Sequence, residues 1–274
     1  RRSAKGLATC NVIPWFGFTG IAVVHDVCNR ARQDFYRDTR RDRLSAAWHC
    51  LQYRRIAQKA ERIITVSEFS KAEIHKYYGV PPEKMNVVYN AWQQMQRIAP
   101  DESIFARHPQ LKPGQYYFSM AHLLKNKNFP WVLRAAGAKP DAVFAIAGGG
   151  SLAKEAAARG LDHLNNVMYL GYVTDGEAKS LMANCRAFLF PTLYEGFGIP
   201  PLEALSLGAP IALARASCLP ELYGDTARYF DPYDYDVDLD ALFAKPAAPP
   251  DKVLAKYSWE KTARFWLDEI KKCA

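Results

Sequence analysis

The chain has 274 residues, of which 49% are apolar, enough for two domains with ample cores. No apolar run approaches the ~20 residues of a membrane-spanning helix, which excludes a helical membrane span. Lys and Arg number 36 against 28 acidic residues, a formal charge of +8, and that balance favours anionic partners: nucleotide phosphates, an anionic membrane face, or nucleic acid.

Residues 1–20 carry no legible pattern, and RRSAKGLATC has no long apolar stretch behind its charges, so no signal peptide is expected. Ile21 to Val24 reads as a short strand ending in His25-Asp26. Arg30 to Arg43 concentrates positive charge; it fits a solvated loop or helix face, or a contact for an acidic lipid headgroup or acceptor. No known nucleic-acid-binding motif accompanies it. Leu44 to Ala60 has helical periodicity, and Ile63 to Val66 is the next strand. Ser67 is a good N-cap for a helix reaching about Tyr77. Gly79 and Pro81-Pro82 then break the chain before a strand at Asn86 to Tyr89. Ala91 to Pro113 is polar, holds three prolines and reads as a linker.

After it the alternation restarts. Strands are legible at Tyr116 to Met120, Ala142 to Ala147, Val167 to Leu170, Ala187 to Phe190 and Pro210 to Leu213. Helices fill the gaps near Phe129 to Ala138, Ser151 to Arg159, Asp175 to Asn184 and Pro201 to Leu207. Strands alternating with helices predict parallel sheets of the α/β class, and a Rossmann-like domain whose ligands bind at the carboxyl ends of the strands. Only three clear strands precede the linker, so the first domain is expected to be incomplete, with Phe16-Gly17-Phe18 running into Ile21 as a candidate junction for missing residues. The six cysteines are scattered without a C-x-x-C pair, which predicts a reducing, cytoplasmic compartment rather than a disulfide framework. No cluster of His, Cys and acids has metal-ligand spacing, so no metal site is expected.

The stretch Phe190 to Gly208, FPTLYEGFGIPPLEALSLG, organises the rest. A Gly- and Pro-rich loop leaves the Ala187 to Phe190 strand and a short helix is expected from Pro200 or Pro201, since proline suits the first helical position. Gly196 and Gly198 let backbone N–H groups come close to a ligand. The helix start adds unpaired N–H groups and a positive dipole end. Glu195 in the loop and Glu203, expected in the first helical turn, flank this anion cradle, and carboxylates pair naturally with vicinal sugar hydroxyls. On spacing alone the same residues also fit a surface loop with two solvated glutamates. The sequence AIAGGGSLA raises a second possibility: Gly148-x-Gly150-x-x-Ala153 fits a dinucleotide fingerprint, with Asp175 roughly in the acidic partner's place.

Glu195 and Glu203 with their loop resemble the E-x7-E motif of retaining glycosyltransferases of family-4 type, and the order of segments from about His25 to the C-terminus is similar. The resemblance implies a GT-B fold: two Rossmann-like domains facing a cleft, with residues 1–95 as a partial acceptor-side domain, 96–256 as the nucleotide-sugar domain, and 257–274 as a closing helix packed back on the first domain. FSMAHLLKNKNF resembles the family's diphosphate-binding segment. Lys127 matches its lysine; His122 stands where an arginine is common and Ala121 where glycine is usual, with Lys125 as a candidate substitute cation. The turn holding Gly149 and Gly150 would border the nucleotide pocket, and Tyr172-Val173 would line the base. His25-Asp26 resembles the family's HD pair, placing His25 by the donor sugar, and SEFS from Ser67 to Ser70 resembles a cleft-lining segment.

The implied activity is retaining, metal-independent transfer of a sugar from a nucleotide-diphosphate donor (GDP-mannose, a UDP-sugar or a dTDP-sugar) to a glycan or lipid-linked acceptor. Lys127 and the amides near Gly196, Phe197 and Gly198 would hold the diphosphate, Glu203 the ribose diol and Glu195 the sugar hydroxyls. No cofactor and no nucleic acid enter this scheme, and the inner face of a membrane is a candidate docking surface. The other readings are an NAD(P)-linked oxidoreductase built on the Gly148 turn and a non-catalytic nucleotide-sugar or glycan-binding protein.

Overall fold

The structure, a computed structural model, describes residues 5–273; residues 1–4, the charged start of the chain, and residue 274 lie outside it. The chain packs as two units, residues 1–90 with 194–197 and 257–274, and residues 91–193 with 198–256.

The first unit holds a four-stranded parallel sheet of β1 (Gly6–Ala8), β2 (Gly20–Val23), β3 (Arg62–Thr65) and β4 (Met85–Val87), in that spatial order. Its helices are α1 (Cys28–Ala31), α2 (Arg40–Lys59) and α3 (Glu68–Tyr78). Strand residues alternate between two faces. Ala22, Val24 and Ile63 meet Tyr53 and Ile56 of α2 and Ile74 of α3. On the opposite face Ile21, Val23, Ile64 and Val88 form a second cluster. α2 begins in a reciprocal capping box between Thr39 and Asp42. α3 begins at Ser67, whose side chain accepts from the Ser70 N–H, and ends at left-handed Gly79. Strand β1 lies in the stretch that carried no pattern, so among the described residues four strands precede residue 91 where sequence alone showed three.

In the second unit α4 (Gln94–Arg97) and α5 (Ser103–Arg107) occupy the segment read as a linker. They bury Met95 and Ile104, with Leu111 beyond them, and the Asp101 N–H donates to the Gly176 carbonyl, so the segment is part of this unit. Then follow β5 (Tyr116–Met120), α6 (Phe129–Ala138), β6 (Val143–Ala147), α7 (Leu152–Ala158), β7 (Val167–Gly171), α8 (Asp175–Asn184), β8 (Ala187–Phe190), α9 (Ile199–Ser206), β9 (Ile211–Ala214), α10 (Leu219–Tyr223), β10 (Arg228–Phe230), α11 (Leu239–Ala244) and α12 (Asp251–Lys256). The six strands are parallel in the order β10-β9-β8-β5-β6-β7. Phe118, Phe144, Phe188, Leu189 and Ile211 are fully buried, as the continuous apolar runs of a sheet covered on both faces require. The chain runs outward from β5 through β6 and β7, then crosses to β8 on the other side of β5. The switch point of the sheet is therefore between β5 and β8.

The last helix, α13 (Trp259–Cys273), belongs to the first unit. Phe265 and Trp266 cover the Ile21 face of the first sheet, the Thr262 hydroxyl donates to the Tyr89 carbonyl at 2.7 Å, and buried Glu269 accepts from Lys272 at 2.7 Å. Tyr257 is fully buried, whereas Trp259 is 37% exposed.

Candidate functional site

In the second unit the loops leaving β5 and β8 meet at the switch point, where open parallel sheets take their ligands. The β5 loop runs through His122 into a 3-10 turn, Lys125–Lys127, and left-handed Asn128, which opens α6. The buried Asn128 amide donates to the Pro232 carbonyl at 2.9 Å. The Thr192 hydroxyl and the Leu193 N–H both donate to the Asn126 carbonyl, at 2.8 and 2.7 Å, so the two loops are fastened to each other beside Lys127. The Lys127 ammonium stands 5.7 Å over the Phe190 ring, a cation–π contact that steadies it. Exposed His122 accepts the Leu124 N–H at Nδ1, at 3.2 Å. A ring accepting at Nδ1 carries its proton on Nε2, so His122 offers a directed donor where an arginine would offer a permanent fork.

The β6 exit passes hard against the β5 exit. A Cβ on Gly148 would lie 1.9 Å from the Ala121 carbonyl oxygen, so only glycine fits. Gly149 and Gly150 beyond it are exposed, and a Cβ on Gly149 would meet nothing within 4 Å. Tyr172, just past β7, is 83% exposed, and Val173 is half-buried. Asp175 opens α8 behind a capping box of Thr174 and Glu177.

Helix α9 starts at Ile199 behind left-handed Gly198, whose carbonyl accepts from the buried Tyr223 hydroxyl at 2.5 Å. Pro200 and Pro201 follow as its second and third residues, so sequence placed the start one or two residues late. Glu203 consequently falls in the second turn, not the first. Its carboxylate is held instead by Gln94 of α4, whose amide donates to Oε1 at 2.8 Å. Burial pushes the Glu203 pKa above the ordinary carboxylate value, the Gln94 hydrogen bond opposes that shift, and the charge of Asp175 adds to it. Gln94 was not singled out in the sequence, because it lies 109 residues upstream in the segment read as a linker.

Glu195, Gly196 and Phe197 pack with the first unit. A Cβ on Gly196 would lie 2.3 Å from the His25 carbonyl oxygen. Glycine here serves a backbone–backbone approach to the His25 loop. Phe197 is buried against Tyr257 and Tyr89, with ring centroids 5.4 and 6.4 Å away. The His25 N–H donates to the Asn11 side chain at 2.9 Å, and its carbonyl accepts the Ser70 hydroxyl at 3.0 Å. The SEFS segment thus caps α3 and holds the His25 backbone, leaving the side chain exposed. Asp26 accepts the Cys28 N–H at 2.8 Å and so orients the loop. Burial pushes the Cys28 thiol up to about 12, with Asp26 and Glu195 adding to the effect. Asn11 is a positioning residue that spacing alone does not reveal.

The candidate residues therefore fall into two sets. Lys127, His122, Gly149, Gly150, Tyr172, Val173 and Glu203 sit on the second unit, and His25, Glu195, Gly196 and Phe197 on the first. Among the described residues no group of three or more His, Cys, Asp or Glu side chains is placed to hold a metal ion, and no helix is long and apolar enough to cross a membrane.

A parallel sheet with a lysine loop and a helix N-terminus at its switch point, preceded by a second parallel α/β unit, defines the GT-B fold class. Residues 101–239 match the family Glycosyl transferases group 1 and residues 8–92 match Glycosyltransferase Family 4. The chain belongs to the glycosyl transferases group 1 family, and the glycine turn at Gly148 lies within that match. O-antigen chain mannosyltransferase B of Escherichia coli is 46% identical over 70 residues, 26% of this chain and 18% of that protein. The serotype-specific mannosyltransferase WbdA of Escherichia coli is 25% identical over 243 residues, 77% of this chain and 29% of that protein. The chain thus spans less than a third of either relative. Among solved structures, sucrose-phosphate synthase from Thermosynechococcus elongatus superposes with a TM-score of 0.76 at 16% identity, covering 94% of this chain and 69% of that one, which establishes a shared fold.

Proposed function

We propose that the protein is a retaining mannosyltransferase that moves a sugar from a nucleoside-diphosphate donor to a growing glycan. The observation that carries this reading is the fastening of the Lys127 loop to the β8 exit at the switch point, one loop away from the α9 N-terminus. Lys127 supplies a fixed positive charge and α9 a positive dipole end. Together they bind the donor diphosphate and stabilise the charge that grows on it as the sugar–phosphate bond breaks. The Nε2–H of His122 adds a hydrogen bond to the same group. Glu203, with Oε1 occupied by Gln94, turns Oε2 to the ribose diol. The open edge at Gly149 and Gly150 passes the nucleotide, and Tyr172-Val173 flank the base.

On the first unit, Glu195 accepts the hydroxyls of the transferred sugar and His25 stands at the anomeric carbon, with attack on the face the diphosphate leaves. The positive charge for departure comes from Lys127 and backbone dipoles, so no metal is needed in this scheme. The mannosyl assignment is supported by the names of the two curated relatives. The scattered cysteines, with no C-x-x-C pair in the sequence, support a reducing, cytoplasmic location.

Calorimetric titration of UDP-, GDP-, dTDP- and ADP-sugars into the parent and Lys127→Ala tests the reading. One donor class should bind saturably, and that binding should collapse in the variant. Failure of every donor to bind, or equal binding by the variant, would overturn it.

A further inference from the structure

The outer face of α2 and the turns before it carry a feature that sugar transfer does not use. A cavity of about 550 Å³ opens there, entirely within the first unit, and Arg30, Arg37, Arg43 and Arg54 are among its lining residues while no carboxylate is. Arg30 to Arg43 contains six arginines and three aspartates. Two of those aspartates are engaged locally: Asp34 pairs with Arg32 at 2.9 Å, and Asp42 closes the Thr39 capping box. The site is therefore strongly cationic and open to solvent.

Beside it the same helix presents apolar side chains to water. Leu44, Trp48 and Leu51 follow one another at spacings of four and three residues, the spacing of one helical face, and they are 62%, 41% and 43% exposed. Leu51 also lines the cavity, so stripe and cavity adjoin. The stripe is extended by the loop that carries Trp15 and Phe16. Arg55 of α2 stacks on Trp15 at 4.1 Å and donates to the Pro14 carbonyl at 2.6 Å, which fixes the loop to the helix. Phe16 at its tip is 92% exposed. Exposed aromatic and aliphatic side chains adjoining an arginine cluster are unfavourable in water and match an interface that is apolar on one side and anionic at its surface. Trp is favoured at that depth of a bilayer, arginine forks suit phosphate, and an amphipathic helix of this kind lies in the interfacial plane.

We propose that this face of the first unit docks on an anionic membrane surface. The arginine-lined cavity takes the phosphate of an anionic lipid, while Phe16, Leu44, Trp48 and Leu51 enter the headgroup–acyl boundary. The inference does not rest on the donor-site reading, because none of these residues belongs to it.

Co-sedimentation with vesicles of phosphatidylcholine alone, or of phosphatidylcholine mixed with phosphatidylglycerol, tests the proposal, with Trp fluorescence read alongside. The parent should bind only the mixed vesicles, bind less as salt rises, and shift its emission to the blue. An anionic surface attracts each nearby arginine roughly fivefold in partitioning, so R43A/R54A should lose about 25-fold. Both side chains are exposed, and an unchanged Tm with unchanged nucleotide binding confirms that the variant is folded. W48S should lose both the blue shift and part of the binding. Equal binding to both vesicle types, or undiminished binding by R43A/R54A, overturns the proposal. So does thermal stabilisation by inorganic pyrophosphate in the absence of any vesicle binding, which would make the cavity a site for a soluble anion. Concentration-dependent dimerisation abolished by W48S, again without vesicle binding, would assign the face to a second copy and equally overturn it.

Discussion

Replacing Glu203 by Gln separates what this side chain does for ligand binding from what it costs the fold. The substituted side chain is nearly isosteric, but its amide is not free to choose an orientation. Gln94 donates to this position at 2.8 Å, so the new carbonyl oxygen must face Gln94 and the new NH2 must face the ribose. A carboxylate Oε2 accepts from both ribose hydroxyls; an amide NH2 accepts from neither, and the bonds its two N–H groups donate to the hydroxyl oxygens have no charged partner. The net loss is about one charge-assisted hydrogen bond, ~1.5–3 kcal/mol, or roughly a 10- to 150-fold weaker Kd for the nucleoside diphosphate. Pyrophosphate, which has no ribose, should bind parent and variant alike.

Stability should move the other way. Burial raises the Glu203 pKa in the folded protein above its ordinary value of 4.5. A carboxyl whose folded-state pKa is raised stabilises the fold fully below the unfolded value, and loses that contribution as pH rises through the folded value. Glu203→Gln removes this dependence. The Tm of the variant relative to the parent should therefore rise with pH, starting above pH 4.5 and levelling off once Glu203 is fully ionised. Isothermal titration calorimetry with nucleoside diphosphate and with pyrophosphate, beside thermal unfolding across that range, provides both readouts. Unchanged nucleotide affinity would refute the ribose contact. A Tm difference that grows as pH falls would refute the assigned direction of the pKa shift.

Lys127→Ala should lower nucleoside-diphosphate affinity at least tenfold, the loss of one charge-assisted contact, and calorimetry should also show weakened pyrophosphate binding. Turnover of the parent should survive excess EDTA, since the proposed charge at the leaving group is covalently part of the chain; loss restored by Mg²⁺ or Mn²⁺ would contradict this. Gly196→Ala places a Cβ 2.3 Å from the His25 carbonyl, backbone against backbone, and should destabilise by ~1–3 kcal/mol, a fall of several degrees in Tm by calorimetric scan. Gly149→Ala meets nothing within 4 Å, so its Tm should stay put while nucleotide affinity falls, if the donor passes over that turn as proposed.

Much of this was legible because the strands of the second unit are continuous apolar runs and the Gly and Pro punctuation falls in the loops between them. What escaped was short or distant. Strand β1 is three residues long and begins on a glycine, and β10 is Arg-Tyr-Phe; neither is long enough to show a period. Helices α4 and α5 have four and five residues, barely one turn each, so their buried Met95 and Ile104 read as isolated apolar residues in a polar linker. The start of α9 was misplaced because proline tolerates the whole first turn and Gly198, not a proline, sets the boundary through its left-handed backbone. Gln94 and Asn11 act on Glu203 and His25 across 109 and 14 residues of chain. Such contacts exist only after folding and leave no local trace.

The two glutamates look like one motif, yet their surroundings are distinct. The loop around Glu195 is set by the first unit: Gly196 is pressed on the His25 carbonyl, and Phe197 is wedged between Tyr89 and Tyr257. Glu203 is set by the second unit, through α9 and Gln94. The joint is Gly198, whose φ of +82° suits glycine, whose carbonyl is held by Tyr223, and where a Cβ would lie 3.0 Å from Leu219. Glu195 stands outside the helix, so the spacing does not bring the carboxylates onto a common helical face, as an i,i+4 pair would be. It is the length of chain needed to leave one packing environment, turn at Gly198, and complete the first turn of α9. Each carboxylate is thereby oriented independently of the other, Glu195 by the packing of its own unit and Glu203 by α9 and Gln94.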